Sequence, residues 1–473
     1  MGLNTITQIF GRIVRFLLNN YFYAGALLVT ATIASLLNYN GKSMGGLFVA
    51  YMDFANFFAS GFDFSGRAGE IIYTFPMWGY GFILLVTKSK TIIIIFQQLV
   101  TIAILLFADY SMKKFGWRAG SRIAFRVLTI FSFPWFYFHA ILWPYSQGAN
   151  LLLLSLFLIL HYLKFRKLTY LILASLCFGI MLNFRSDYFF LGLAIPIIIL
   201  FIDLIRKEKK VWWHYPVWYA IMFILLIPWG LFSLEKTGSY LQKSSNGGHV
   251  LFISLGQLPD NKWRITPLDK DPLMRELVDS EVGPGVRTLS HQADTFLTRK
   301  WLELILNDKA EFLRKCKYNY NSIFHSPFYN GELYKLSEGF ADMVIISKLD
   351  VKIQDLADSL PGNKWLSRAF DPLRNRYEKT GLILPKWTIG AIIIAFIFFR
   401  TSLFKEETFI LILSVIVYQF GLMVLGYFMR GYHTNIFILY EILLVFLFIE
   451  LNPFGLTFKK WEEIYNSKKV LFK

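Results

Sequence analysis

The stretch YFFLGLAIPIIILFIDLI, Tyr188 to Ile205, decides the class of this protein. It carries one charge, Asp203, and as a helix it reaches about 27 Å, close to the roughly 30 Å of a bilayer's hydrocarbon core. NFRSD at 183–187 and RKEKK at 206–210 give it polar ends. Blocks of the same kind recur at Ala24–Leu37 and Phe409–Phe428. Of 473 residues, 55% are hydrophobic and 17% charged, and the mean hydropathy is +0.46, which excludes a string of soluble domains. The expected class is an all-α polytopic membrane protein.

Apolar runs mark about ten crossings, at 21–37, 91–109, 123–142, 145–163, 168–184, 188–205, 212–233, 382–399, 407–428 and 434–450. Cationic clusters punctuate them: Arg12 with Arg15, Lys113 to Arg126, Lys164 to Lys167, Arg206 to Lys210, Arg400 with Lys405, and the tail from Lys459. With a cytoplasmic N-terminus, this number of crossings puts every cluster on the cytoplasmic side. The formal charge of +17 is then explained by membrane orientation, and no nucleic-acid partner is expected. Three regions follow: an N-terminal transmembrane module, 1–233, with a first outer loop at 38–90; a large extracytoplasmic region, 234–381, of amphipathic helices; and C-terminal transmembrane helices with a cytoplasmic tail, 382–473. Tyr73–Thr87 is apolar but short and holds Pro76, Gly79 and Gly81, so it is read as re-entrant or interfacial. The first block could be a cleaved signal peptide, with small residues near Ala31 and Ala34, but it shows no strong cleavage site and runs straight into a loop that bears chemistry, so it is read as a retained anchor. Ala293–Leu313 reads as one helix whose apolar face holds Phe296, Leu297, Trp301, Leu304 and Ile305.

Several residues at the expected outer face bear chemistry. Asp53 falls in a short aromatic helix beginning near Phe48, where partial desolvation raises a carboxylate's proton affinity and suits a general base. The plainer reading is a helix cap or a pair with Lys42 or Arg67. Ser244-Ser245-Asn246-Gly247-Gly248 permits a tight turn whose amides approach a phosphate or sugar hydroxyl, although the same residues make ordinary turns. In Asn183-Phe184-Arg185-Ser186-Asp187-Tyr188, Arg185 suits a phosphate, or else pairs with Asp187 across a helical hairpin. Arg430 and His433 form a second cationic turn with the same two readings. The histidines show no zinc spacing, and no phosphate-binding loop or dinucleotide fingerprint appears.

The order of these features resembles the GT-C glycosyltransferases of bacterial membranes, the superfamily containing protein O-mannosyltransferases and the enzyme that adds aminoarabinose to lipid A. An acidic outer loop follows the first helix, an aromatic-proline segment Tyr73–Tyr80 comes next, then a helical bundle, then Pro228-Trp229 and SSNGGHVLFISLG at 244–256. The resemblance covers about the first 260 residues and is most specific at the SNGG stretch. It implies a GT-C-like bundle in the bacterial cytoplasmic membrane that transfers a sugar from a polyprenyl-phosphate donor to a hydroxyl of a glycan, lipid or protein, outside the membrane. It makes Asp53 the base. The chain departs from the pattern in having Phe54 where many relatives have a second acid, and Gln147 where another acid often stands. A second acid is left to Asp63, Glu70 or Asp187, and the site set is Asp53 and Asp63 for catalysis with Arg185, Arg430, His433, Ser245, Asn246, Gly247 and Gly248 for the donor. A phosphodiester-linked donor leaves with modest charge that paired cations can offset, so no metal or cofactor is expected. A lipid-linked-sugar flippase or transporter and a polysaccharide polymerase or ligase are the competing readings.

Overall fold

A computed structural model describes residues 11–39, 48–62, 77–86, 89–142, 144–207, 212–325, 352, 355, 386–390, 392–393, 406–427 and 437–451. Among these, every regular element is helical. A short helix, Gly11–Leu17, is followed at a 60° bend by the chain of α1 (Asn20–Tyr39). The outer-loop residues give α2 (Phe48–Ala59) and α3 (Gly79–Val86), and at about 12 Å long α3 is too short to cross a bilayer. α4 (Lys90–Phe115) starts where the Ser89 hydroxyl accepts from Ile92 N–H and ends on Gly116 at φ 84°, with Lys113 and Lys114 in its last turn.

Prolines set the next boundaries. α5 (Ala119–Ile130) stops four residues before Pro134, which has no N–H to give the Ile130 carbonyl, and α6 (Phe133–His139) restarts with Pro134 in its first turn. The crossing expected at 123–142 is therefore broken at Phe131–Ser132. Pro144 opens α7 (Pro144–Phe165), which packs along α8 (Leu168–Phe184) as a hairpin, followed by α9 (Phe189–Arg206). α10 (His214–Ile224) ends four residues before Pro228, and α11 (Ile227–Thr237) continues it at a 41° bend.

By length and apolarity, four helices suffice to cross a membrane: Lys90–Phe115, Pro144–Phe165, Ser186–Arg206 and Glu407–Leu425, the last being α16 in chain order. Counting each bent pair as one span raises the number to six among the described residues. Leu168–Phe184 is apolar but shorter, and more than half of 382–399 lies outside the described residues.

Between the bundle's two parts, α12 (Gly247–Ser254), α13 (Pro272–Glu281), α14 (His291–Asn307) and α15 (Lys309–His325) surround a small core of Phe252, Ile253, Leu255, Ile265, Met274, Val278, Ala293 and Leu297. The region at 234–325 thus has more of a core than its amphipathic pattern announces. The helix expected at 293–313 is two, because the Asp308 carboxylate accepts from Glu311 N–H at 3.0 Å and starts a new helix. Its apolar face is as read: Leu297 is fully buried, and Phe296, Trp301, Leu304 and Ile305 pack beside it. α15 docks onto the end of α16. The fully buried Lys315 ammonium donates to the carbonyls of Val424 at 3.3 Å, Leu425 at 2.9 Å and Gly426, and Asn319 donates to Met423 O at 3.1 Å. α17 (Phe437–Val445) runs into a π-helical turn at Phe446–Glu450.

Charge gathers where α4 ends and α5 begins. Asp109 accepts from Arg122 at 2.7 Å and from Arg126 at 2.6 Å, and buried Arg126 also donates to Leu17 O, Asn19 O and Asn20 Oδ1. At the same end Arg166 meets Asp203 at 2.6 Å, Arg206 pairs with Glu407, and Glu450 accepts from Arg118 N–H and the Ser121 hydroxyl.

Candidate functional site at the opposite end of the bundle

The end away from those charges brings together three stretches distant in sequence. α2 and α3 lie against each other so closely that a Cβ on Gly81 would fall 2.7 Å from Phe54 Cβ. α3 is pinned to the end of α8: a Cβ on Gly79 would meet Asn183 O at 2.6 Å, and Trp78 Nε1 donates to Asn183 Oδ1 at 2.9 Å. Trp229 and Phe232 of α11 join this frame, with Trp78 and Trp229 ring centres 5.8 Å apart and Phe54 and Phe232 5.5 Å apart. The first outer loop and the Pro228-Trp229 segment are one aromatic cluster.

Beside it the chain turns at Arg185–Tyr188. Arg185 is buried, donates from Nε to Asp187 Oδ1 at 2.9 Å and closes a second bond from Nη2 to Asp187 Oδ2. Its guanidinium stacks 3.8 Å over the Tyr145 ring and 5.3 Å from that of Tyr188. Gly148 makes room for it, since a Cβ there would stand 3.0 Å from Arg185 Cδ. The Tyr418 hydroxyl of α16 donates to Asp187 O and fixes the turn from the C-terminal side of the bundle. The pair foreseen as the plainer reading of Arg185 is formed, so an arriving phosphate would compete with Asp187 for the fork.

Ser186 connects this turn to the SNGG stretch: its hydroxyl lies 2.6 Å from that of Ser244, which donates to Asn246 Oδ1 at 2.8 Å. Ser245 donates to Leu289 O at 3.2 Å. Gly248 N–H donates to the Asp294 carboxylate, and a Cβ at Gly248 would strike Asp294 O at 2.1 Å. That glycine permits the close approach of α12 to α14, and its amide already has an anion, supplied by the protein. Burial raises the Asp294 pKa, opposed by the Gly248 bond and by the nearby Lys243 and histidines. The Lys243 ammonium lies 3.6 Å from where a Gly247 Cβ would be, leaving Gly247 flanked by a cation and a carboxylate. His249 Nε2 lies 3.1 Å from Asp269 Oδ1, and that bond lowers the Asp269 pKa.

Tyr51 of α2 is directed to this site. Its hydroxyl senses Tyr145 and Arg185, and burial pushes its pKa up. Asp53, half-buried, lies two residues on, about 160° round the helix from Tyr51. Asp63, Glu70, Arg430 and His433 lie outside the described residues. The sequence reading missed Tyr51, Tyr145, Asn183, Tyr418 and Asp294. Only Asn183 had a visible cue, its place beside Arg185 at a helix end. The chain matches no protein-family model, no curated protein and no solved structure.

Proposed function

We propose that this protein is a GT-C-like membrane glycosyltransferase of about ten crossings that moves a sugar from polyprenyl phosphate to an acceptor hydroxyl on the extracytoplasmic face of a bacterial cytoplasmic membrane. One observation carries the reading. The aromatic outer loop, the Arg185 turn and the Pro228–Gly248 stretch, which give the sequence its resemblance, meet at one end of the bundle, and the basic loops sit at the other.

In this reaction the acceptor oxygen bonds to the anomeric carbon and gives its proton to Asp53. The bond from that carbon to the phosphate oxygen breaks, and its electron pair leaves with polyprenyl phosphate. Arg185 offsets the charge developing on that oxygen, exchanging part of its contact with Asp187 for the phosphate.

The test is transfer from radiolabelled polyprenyl-phosphate sugars by purified protein, with native membrane extract as acceptor, comparing wild type, Asp53→Asn and Arg185→Gln. Asp53→Asn is expected to lower transfer by about 10²–10⁴-fold with the fold intact, the usual range for a lost general base. Unchanged transfer would move the base to Asp63, Glu70 or Asp187. Movement of the lipid-linked sugar between leaflets of proteoliposomes without transfer would overturn the reading in favour of a flippase.

A further inference from the structure

Glu441 is the one charged residue in the apolar helix FILYEILLV of α17, and it is buried, 4% exposed. It faces Ser132, itself 1% exposed, at the break between α5 and α6. That break falls midway along the stretch from Ala119 to Leu142. Beside it, Tyr23 OH meets Thr129 Oγ1 at 2.8 Å, Thr30 donates to Ile130 O at 2.9 Å, and Gln98 bridges Ser35 at 3.1 Å and Phe136 O at 2.8 Å. These contacts tie the break to the middle of α1 and to the long span α4.

Nothing described compensates the charge of this carboxylate. Among the described residues Glu441 Oε2 has no hydrogen-bond partner, and the Ser132 hydroxyl is the polar group that faces the carboxylate. Several of the break's amides are spent: Phe131 N–H goes to Val127 O, Ser132 N–H to Thr129 O, and Trp135 and Phe136 N–H to Ser132 O, while Pro134 has none. The ionisable groups on the surrounding helices are engaged elsewhere. Arg126 of α5 holds Asp109 and the main chain of Leu17 and Asn19, Tyr23 of α1 bonds Thr129, Glu407 of α16 pairs with Arg206, and Tyr418 bonds Asp187 O. The nearby end of α5 is a helix C-terminus, which carries partial negative charge. A carboxylate, a helix C-terminus and burial all call for a positive charge, and discontinuous helices are where many membrane transporters hold small cations.

We propose that Glu441 and Ser132, at the break between α5 and α6, bind a small monovalent cation, a proton or a sodium ion. The site is independent of the sugar-transfer reading and sits in the bundle interior, among residues that the reading does not use.

The experiment uses the full chain in lipid nanodiscs. Thermal unfolding is followed in sodium chloride and in choline chloride at equal ionic strength, and the infrared protonated-carboxyl band is followed against pH in water and heavy water. A sodium site predicts a midpoint that rises with sodium in wild type and not in Glu441→Gln. A proton site predicts a titrating carboxyl band that is missing from Glu441→Gln, with one proton fewer taken up per chain on acidification. If Glu441→Gln does not fold, Ser132→Ala keeps the carboxyl and is expected to weaken the sodium response or shift the band. Wild type that shows neither a sodium response nor a band assignable to Glu441 would overturn the proposal.

Discussion

At one end of the bundle Arg126 binds Asp109, two main-chain carbonyls and Asn20, sewing together the first helices, α4 and α5. At the other, Arg185 is held by Asp187, two residues along its own chain, and lies against the faces of Tyr145 and Tyr188. Both guanidiniums are buried, yet the first ties remote segments into one structure and the second occupies a turn framed by rings. A buried cation bonded to distant main chain serves assembly. One bonded locally, with aromatic faces around it, is suited to exchanging partners.

The contrast can be broken most directly at Arg126. Arg126→Ala leaves Asp109 buried with half its partners and is expected to cost about 3–5 kcal/mol in thermal or denaturant unfolding in detergent, whereas Arg185→Gln costs clearly less. Equal losses would erase the distinction. Next in size, Gly248→Ala must push α12 from α14 and is expected to cost about 1–3 kcal/mol. Limited proteolysis should then find new cleavage between 238 and 290 with the bundle untouched.

The Asp294 carboxylate sharpens the same point. Asp294→Ala strands the Gly248 amide and is expected to cost about 1–3 kcal/mol. Asp294→Asn keeps an acceptor there and removes a buried charge, so it should equal or exceed wild type in stability at neutral pH. Because the folded-state pKa of Asp294 lies above its ordinary value of 3.8, the folded form binds the proton more tightly. Stability from this group is full at low pH and falls as pH rises from that value through the folded pKa, a slope that Asp294→Asn should abolish. Smallest of all, Lys262→Ala removes a pair with Asp308 whose lysine side chain is 63% exposed, and unfolding should shift by no more than about 1 kcal/mol.

Much of the bundle was legible because its signals are local. The apolar blocks of α4, α7 and α9 declare spans, and Pro228 and Pro134 fall four residues after the helix ends they impose. The break at Phe131 was missed because an unbroken apolar run hides it, although Pro134 was there to be weighed. At the site, the SNGG turn and the Arg185–Asp187 pair could be read from neighbouring residues. The bond from Trp78 to Asn183, 105 residues apart, and the carboxylate that reaches Gly248 from Asp294 could not, since no periodicity records which distant side chain fills a space.

Lys315 dictates an order of events in biosynthesis. Its acceptors, the carbonyls of Val424, Leu425 and Gly426, are translated more than a hundred residues after the lysine itself. Until α16 is made, that ammonium and Asn319 have no helix end to close upon, and α15 must wait undocked. α16 therefore acts as the clasp of the region around α15, and a nascent chain halted before Glu407 would present α15 open to quality-control proteases.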